Sequence, residues 1–239
     1  MRGVDKSADR VRRMFGQIAR RYDLLNHLLS CNTDRYWRWR AARAVPLADG
    51  DFVLDVCTGT GDLALAFHRR SRGKAQVIGT DFCHPMLVIG ARKGKRAAAQ
   101  AIRWVEADSQ QLPFPDNSFQ IVSVAFGLRN IADTDRGLRE MARVCRVGGT
   151  VLVLEFSLPT FPPLRAAYAA YFRHVLPRVG QLLARNQEEA YNYLPDSVGQ
   201  FPQGQSLAAQ MRRAGLEPVR WNSLTFGVAS MYLGTKAPI

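Results

Sequence analysis

The chain has 239 residues, of which 47% are hydrophobic and 22% charged, and these values exclude a disordered, collagen-like or coiled-coil protein. No run approaches the roughly 18 apolar residues of a membrane-spanning helix, and the charged N-terminus lacks the apolar core of a signal peptide, so we expect a cytoplasmic protein. The 33 Lys and Arg against 20 Asp and Glu give a net charge of +13, which predicts anionic partners.

The chain begins with a predicted helical prefix over residues 1–45, which ends at Val45-Pro46. Apolar runs and helical segments then alternate. The runs predict strands at 52–56, 75–80, 102–107, 121–125 and 151–156, and the segments between them predict helices at 62–70, 85–99 and 135–146. Residues 158–205 are predicted to be a helical insertion, and 216–236 to form two closing strands. The pattern predicts one α/β domain over 1–239, with a doubly wound, mostly parallel sheet and an antiparallel edge strand.

Residues 53–64, VLDVCTGTGDLA, predict a strand, a tight glycine turn and the start of a helix. Gly59 and Gly61 allow the backbone to approach a ligand closely. Asp81 follows Gly61 by 20 positions, which also satisfies the dinucleotide fingerprint. The motif alone therefore leaves a nicotinamide cofactor and another nucleoside open.

Charge distinguishes these two ligands. A dinucleotide would place its pyrophosphate on the helix N-terminus, where Asp62 would repel it. S-adenosylmethionine carries a sulfonium and an ammonium beside one carboxylate. Asp55 and Asp62 would offset its positive charge while the loop amides receive the carboxylate, so we expect S-adenosylmethionine as the cofactor.

Acidic residues lie at the ends of three successive strands, as Asp55, Asp81 and Asp108-Ser109. Asp81 is placed to accept both ribose hydroxyls, and Asp108 to accept from the adenine amine. Each acid could instead cap the following helix. The three together are typical of class I S-adenosylmethionine-dependent methyltransferases, which have a Rossmann-like fold.

Longer stretches resemble the UbiE/MenG family of quinone C-methyltransferases. YDLLNHLLS at 22–30, continuing to Trp37, is similar to the family's YDxMNxxxSxxxHxxW, and RVCRVGG through LEFS at 143–157 is similar to RVLKPGGxxxxLExS. LPFPDNSF at 112–119 and AFGLRN at 125–130 also match family text. The chain departs from the pattern at Leu25, at Asp34 where the family has His, at Arg146-Val147 and at Cys57-Thr58.

The resemblance implies C-methylation of a prenylated quinol, with demethylmenaquinol as the expected substrate and the benzoquinol step of ubiquinone biosynthesis as the alternative. A cofactor-contacting hydroxyl of the family falls at Ala125, where only the backbone can serve. The expected cofactor-binding residues are Asp55, Gly59, Thr60, Gly61, Asp81, Phe82, Asp108, Ser109 and Ala125.

The expected catalytic residues are Arg129, Asn130 and Tyr22. Arg129 and Asn130 follow the fourth predicted strand, and the resemblance implies that they face the quinol. Because a guanidinium stays protonated, we expect Arg129 to hold the phenolate, with water or a weak base taking the proton. Tyr22, Asp23 and Asn26 could share a helix face above the cofactor, or serve in capping and packing.

The insertion is predicted to form a lid over the substrate, and packing on the core is the other interpretation. Its apolar positions at helical spacing are Leu164, Tyr168, Tyr171, Phe172, Val175 and Leu176, with Arg165, Arg173 and Arg178 nearby. Acid-free, basic intervals at 63–80 and 82–105 are either solvated helix faces or a surface for anionic lipid at the inner face of the membrane. For the oligomeric state, a homodimer is the working expectation.

Metal ligands are not expected. The histidines at 27, 68, 84 and 174 lack ligand spacing, although His174 could line the quinol pocket. The cysteines at 31, 57, 83 and 145 include no CxxC pair, so they are expected to be reduced thiols.

Two rival functions stay open. An RNA or DNA methyltransferase would suit the charge, but the chain has no NPPY-type motif after the fourth strand, so no nucleic-acid partner is expected. The other rival is a non-catalytic nucleotide-binding or oxidoreductase module.

Overall fold

A central sheet of seven strands organises the computed structural model, which describes residues 6–171 and 190–238. The strands are β1 (Phe52–Val56), β2 (Gln76–Asp81), β3 (Arg103–Glu106), β4 (Phe119–Ala125), β5 (Cys145–Phe156), β6 (Leu216–Leu224) and β7 (Ala229–Lys236). Their order is β3-β2-β1-β4-β5-β7-β6, with β1 to β5 parallel and β7 antiparallel to β5 and β6. The predicted mostly parallel sheet with an antiparallel edge is confirmed, and the antiparallel strand lies one position in from the edge.

Helices cover both faces of the sheet. They are α1 (Ala8–Leu29), α2 (Thr33–Ala44), α3 (Asp62–Arg70), α4 (His84–Arg96), α5 (Thr134–Val144), α6 (Pro162–Ala170), α7 (Ala190–Gln200) and α8 (Gln205–Arg213). The predicted prefix corresponds to α1 and α2, which pack against α4 and α3. Cys31 and Asn32 turn the chain between them in left-handed conformations. Within the described ranges, no helix is both long and apolar enough to cross a bilayer, and the cytoplasmic location stays a prediction.

One predicted element has a different boundary in the structure, and another lies partly outside the described residues. The helix predicted over 135–146 ends at Val144, because β5 begins at Cys145 and pairs with β4 across a register shift between Phe119 and Ile121. The exposed residues Arg146, Val147 and Gly148 hide this part of the strand from a hydropathy pattern. Of the predicted insertion, α6 and α7 are described, whereas Phe172, Arg173, His174, Val175, Leu176 and Arg178 lie outside the described residues. The lid therefore stays a prediction.

Alternating side chains of the central strands build a core on each face of the sheet. Leu54 and Val122 pack towards α5 and α8, whereas Val53 and Ile121 pack towards α2 and α3. The strand order reverses between β1 and β4, and ligands of such sheets bind outside the carboxyl ends of the strands at this point. The glycine turn after β1 lies there.

Trp104 on β3 fills a space that four glycines leave open. A Cβ atom would come within 2.2 Å of the indole ring at Gly61, 3.1 Å at Gly79, 2.8 Å at Gly90 and 3.5 Å at Gly94. Gly61 also has a φ of +84°, which favours glycine. The indole thus holds α3 and α4 against the sheet, and Gly61 is needed for this packing.

We predict that Gly90→Ala destabilises the fold, because the new methyl would overlap the Trp104 ring. The cost should be about 1–3 kcal/mol in the free energy of unfolding, measured by urea denaturation. Gly199→Ala is the matched control, since Gly199 is also helical but has no atom within 4 Å of an added Cβ. That variant should gain about 0.5–1 kcal/mol. Equal stabilities of the two variants would contradict the packing role of Gly90.

Candidate active site

Two cavities lie side by side at the carboxyl ends of the central strands. The glycine-loop cavity encloses about 1030 Å³ around the turn after β1. The tyrosine cavity encloses about 1310 Å³ between α1, α2 and α6, and Tyr168, Tyr171 and Tyr193 line it. Four residues line both and form a shared wall: Phe15, Tyr22, Arg38 and Phe126. A ligand in each cavity would meet the other at this wall.

The glycine-loop cavity brings together nearly all of the residues predicted to bind the cofactor. Its lining includes Asp55, Gly59, Thr60, Asp81, Phe82, Asp108, Ser109 and Ala125. Gly61 does not line it, because the side of Gly61 that lacks a Cβ faces Trp104. The close approach to a ligand that we expected of both glycines is therefore available at Gly59 alone.

Asp81 is held in place by the backbone of the glycine turn. Its Oδ2 accepts from the amide of Gly59 at 2.8 Å, and its Oδ1 accepts from the amide of Cys83 at 2.9 Å. The Phe82 amide also acts on this carboxylate, so of its roughly four lone-pair positions one remains for a ligand. Cys83 is the N-cap residue of α4, so Asp81 supports a helix start as well as lining the cavity.

Asp55 and Asp108 serve differently. Asp55 is buried, and its oxygens accept from the hydroxyls of Thr58 and Ser123 at 2.6 and 2.7 Å. Asp108 lies at the rim, where Oδ1 accepts from the amide of Gln110 at 2.8 Å. Asp55 is not the N-cap residue of α3, which is Gly61, but the Ala64 amide in the first turn of that helix acts on its carboxylate. No helix directly follows Asp108 within the described residues.

Burial changes the acidity of two of these groups. It raises the pKa of Asp55 to about 6, although the hydrogen bonds from Thr58 and Ser123 act to lower it. Burial also raises the pKa of Asp81 to about 6, although the hydrogen bonds from the amides of Cys83 and Gly59 act to lower it. A positive charge in the cavity would stabilise both ionised carboxylates. The cavity therefore suits a cationic ligand.

Asp62 has a different role from the predicted one. Its Oδ1 is 2.5 Å from the Lys93 ammonium, which also binds Asp23 at 2.7 Å. Burial acts to raise the pKa of Asp62, but Arg38 and Lys93 lower it overall. The negative charge of Asp62 is thus already balanced by Lys93 and Arg38. The charge argument for the cofactor depends on Asp55 and Asp81 instead.

Arg129 lies in the wall of the tyrosine cavity, in a short 3-10 helix after β4, and it is buried. One guanidinium nitrogen donates to Glu155 at 2.9 Å and to the carbonyl of Phe126 at 2.5 Å. The Glu155 carboxylate also accepts from the Arg129 amide at 3.2 Å. The Nε of Arg129 is buried and has no hydrogen-bond partner among the residues that the structure describes. An oxygen of a ligand in this cavity could supply one.

Four other residues predicted at the site occupy separate places. Asn130 lines the glycine-loop cavity rather than the tyrosine cavity, because successive side chains of a 3-10 helix point about 120° apart. Tyr22 lies in the shared wall and Asn26 in the tyrosine cavity. Asp23 faces away and accepts from the Thr60 hydroxyl at 2.5 Å. The shared face of Tyr22, Asp23 and Asn26 is therefore wrong for Asp23, since neighbours on a helix diverge.

The functional-site prediction missed Glu155 and Arg38. Glu155 is buried in β5, and an acid in an apolar strand needs a buried partner, which the sequence did not name. Arg38 donates to the Asp34 carboxylate at 2.5 Å, and its guanidinium lies 5.2 Å from the centroid of the Phe126 ring. The spacing of Asp34 and Arg38, four positions apart on a helix, was the available signal.

One cluster has the composition of a metal site. Ligand atoms of His27, Asp34 and Asp62 all lie within 4.8 Å of one another. Arg38 is bonded to Asp34, and Lys93 is bonded to Asp62, so these carboxylates already have cationic partners. The prediction of no metal stays a prediction.

Comparison with known proteins gives the family of the chain. The sequence model of the ubiE/COQ5 methyltransferase family matches residues 3–236. The demethylmenaquinone methyltransferase of Deinococcus radiodurans is 47% identical over 227 residues, 95% of this chain and 92% of that protein. The ubiquinone/menaquinone biosynthesis C-methyltransferase UbiE of Geobacter sp. (strain M21) is 41% identical over 237 residues, 99% of this chain and 100% of that protein.

Solved structures support the fold. A SAM-dependent methyltransferase from Thermotoga maritima has a TM-score of 0.65 at 17% identity, covering 93% of this chain and 98% of that chain. The [4+2]-cyclase SpnF has a TM-score of 0.70 at 16% identity, with 99% of both chains covered. The fold is thus that of class I S-adenosylmethionine-dependent methyltransferases, and the chain belongs to the ubiE/COQ5 methyltransferase family.

Proposed function

We propose that this chain methylates a ring carbon of a prenylated quinol, with S-adenosylmethionine in the glycine-loop cavity and the quinol in the tyrosine cavity. The observation that carries the proposal is the buried Nε of Arg129 in an aromatic cavity, for which residues 6–171 and 190–238 supply no hydrogen-bond partner. That cavity shares a wall with an acidic cavity, so donor and acceptor can meet.

The glycine-loop cavity fits S-adenosylmethionine by charge. When bound, this donor supplies a methyl group activated by a sulfonium. Asp55 and Asp81 would offset positive charge, and the remaining lone pair of Asp81 suits a ribose hydroxyl. Asp108 and Ser109 at the rim suit the adenine. The anionic pyrophosphate of a dinucleotide would meet the buried Asp55 carboxylate unfavourably, whereas Asp81 suits the ribose of either ligand.

Arg129 would hold the quinol oxygen. Leaving a buried donor unsatisfied costs about 1–3 kcal/mol, and a phenolate oxygen bonded to Nε would recover this energy. The Glu155 carboxylate fixes the guanidinium from behind, and the Phe156 ring lies 5.2 Å from it. A phenolate held in this way pushes electron density onto the adjacent ring carbon. Tyr22 in the shared wall would orient the ring beside the donor.

The choice of quinol follows the relatives. Two with 46% and 47% identity are named demethylmenaquinone methyltransferases, which favours demethylmenaquinol as the substrate of this chain. Those at 40–41% are named for both ubiquinone and menaquinone biosynthesis, so the benzoquinol step is the alternative. The mass of the lipid quinone that accumulates in cells without the protein distinguishes the two.

The homodimer stays a prediction. Analytical ultracentrifugation would measure the oligomeric state and so test it.

A basic groove between α2 and α3 supports docking to an anionic bilayer, where a prenylated quinol resides. Its lining includes the exposed arginines Arg35, Arg43, Arg69 and Arg72. Trp39 is 50% exposed at this groove, with the guanidinium of Arg43 5.0 Å from its ring centroid. Arginine and interfacial tryptophan together suit lipid headgroups. Of the basic residues predicted for this role, Lys93 and Lys74 instead pair with carboxylates.

We predict that the affinity for S-adenosylmethionine falls with acidification. Protons on Asp55 and Asp81, whose pKa is about 6, compete with the cationic ligand, so Kd is constant above this pH and rises below it. The rise should reach about tenfold per pH unit for each linked proton, measured by calorimetry. Asp55→Asn should weaken binding at neutral pH and flatten the profile, whereas Asp49→Asn, an exposed surface control, should change neither. A flat wild-type profile would contradict the charge argument.

We predict that Arg129→Ala lowers quinol methylation by about 10²-fold or more, because the phenolate loses its cationic partner. Its Kd for S-adenosylmethionine should be unchanged. Glu155→Gln keeps an acceptor for Arg129 but loses the charge, so a loss of about tenfold is expected. Turnover of a short-chain quinol, followed by mass spectrometry, measures both. Arg139→Ala, an exposed control, should be fully active, and unchanged turnover in Arg129→Ala would refute the role of Arg129.

We predict that the chain sediments with phosphatidylglycerol vesicles at low salt and is released at high salt, because the attraction is electrostatic. Each arginine removed should cost about 1 kcal/mol of binding. The pair of substitutions Arg35→Ala and Arg43→Ala should therefore weaken sedimentation more than Arg139→Ala with Arg220→Ala, which removes the same charge elsewhere. Equal losses in both pairs would remove the groove from the proposal, and preferential binding to RNA would favour the nucleic-acid rival.

A further inference from the structure

Methylation of a ring carbon releases a proton, and some group must accept it. When the carbon accepts the methyl, it becomes tetrahedral and carries both the methyl and its original hydrogen. The C–H bond then breaks, and its electron pair returns to the ring. This inference rests on the proposed quinol methylation. Because the step restores aromaticity, a weak base is sufficient.

The base must lie on the quinol side of the reacting carbon. The methyl would enter from the glycine-loop cavity, so the hydrogen of the tetrahedral carbon tilts towards the tyrosine cavity. Asp55, Asp62, Asp81 and Asp108 line the glycine-loop cavity and not the tyrosine cavity. These four carboxylates are therefore on the wrong side of the ring.

Asp34 is the only carboxylate in the wall of the tyrosine cavity among the residues that the structure describes. The arginines in that wall, Arg38 and Arg129, are cations without an acceptor site. Burial raises the pKa of Tyr22 and of Tyr168, so both hydroxyls stay protonated at neutral pH. Of the groups compared, Asp34 is therefore the one that is both anionic and on the quinol side of the reacting carbon.

The Asp34 carboxylate is held rigidly with one acceptor position left. It is buried, with 2% of the residue exposed. Its Oδ2 binds Nδ1 of His27 at 2.9 Å and the Arg38 guanidinium at 2.5 Å, and its Oδ1 accepts from the Ser30 hydroxyl at 2.7 Å. A carboxylate has about four lone-pair positions, so one on Oδ1 is unused by the contacts within the described ranges. Arg38 itself lines both cavities, which places Asp34 beside their junction.

The surroundings keep Asp34 ionised. Burial acts to raise its pKa, but Arg38, the Ser30 hydroxyl and His27 together lower it below the ordinary value for Asp. The carboxylate is thus ready to accept a proton at neutral pH and does not retain it afterwards. His27 also lines the basic groove outside the tyrosine cavity, so the cluster extends from the cavity wall to that groove.

We propose that Asp34 is the proton acceptor of the methylation reaction. The free lone pair of Oδ1 takes the ring hydrogen as a proton after the new C–C bond has formed. Arg38, His27 and Ser30 position the carboxylate, which returns its proton to water when the product leaves.

The test uses a short-chain naphthoquinol deuterated at the ring carbon that accepts the methyl. In the wild-type chain we expect methyl transfer to limit the rate and deuterium therefore to have little effect. Asp34→Asn keeps the side-chain shape but removes the base. We expect turnover to fall about 10²-fold, and the deuterated substrate to react more slowly than the protiated one because C–H cleavage now limits the rate. A purely structural loss would slow both substrates equally.

Two further variants control the comparison. Ser30→Ala removes one donor to Asp34 but keeps the carboxylate, so its response to deuterium should match the wild type. Asp34→His should regain turnover, with a deuterium effect only below about pH 6.5, where imidazole is protonated. Retained binding of S-adenosylmethionine verifies that each variant is folded.

Each outcome separates the two proposals. Equal rates for the two substrates in Asp34→Asn overturn the role of Asp34. If Asp34→Asn does not fold or turn over, Asp34→His decides, and a deuterium effect that does not change with pH overturns the role. A wild-type chain that does not methylate the quinol overturns the proposed function instead.

Discussion

Arg38 is buried where the two cavities and the basic groove meet, and the arrangement of the site depends on how its charge is balanced. Asp34 binds it directly, and Asp62 acts on it electrostatically. A buried cation without such partners would cost several kcal/mol. Because Asp34 lies on α2 and Asp62 on α3, balancing this one charge brings the helical prefix onto the methyltransferase sheet and forms the shared wall.

A second set of charges attaches the prefix to the glycine turn. Lys93 on α4 binds Asp23 of α1 and Asp62 of α3, and the Thr60 hydroxyl donates to Asp23. The loop that surrounds the cofactor is thus connected to the helix that covers it. The proposed quinol cavity and the proposed donor cavity are both formed only when the prefix is in place, because Tyr22 on α1 lines both.

The local pattern of the sequence was sufficient for the strands, the helices and the glycine turn, since hydrophobic periodicity and turn residues act over a few positions. It was also sufficient to place acids at the carboxyl ends of parallel strands, which lie at the same edge of the sheet. It could not show that Asp62 faces Lys93 or that Gly61 faces Trp104, because these partners are 31 and 43 positions away along the chain. The pairing of Glu155 with Arg129 is a contact of the same long-range kind.

The packing of Trp104 has a consequence for how this sequence can change. The indole occupies the volume that side chains at Gly61, Gly79 and Gly90 would need, so each of these positions can enlarge only at a cost in stability while the ring is present. A smaller residue at position 104 would in turn leave a void that glycines cannot close. Variation at the strand, the turn and the helix is therefore interdependent, and viable alternatives require concerted replacement at several positions.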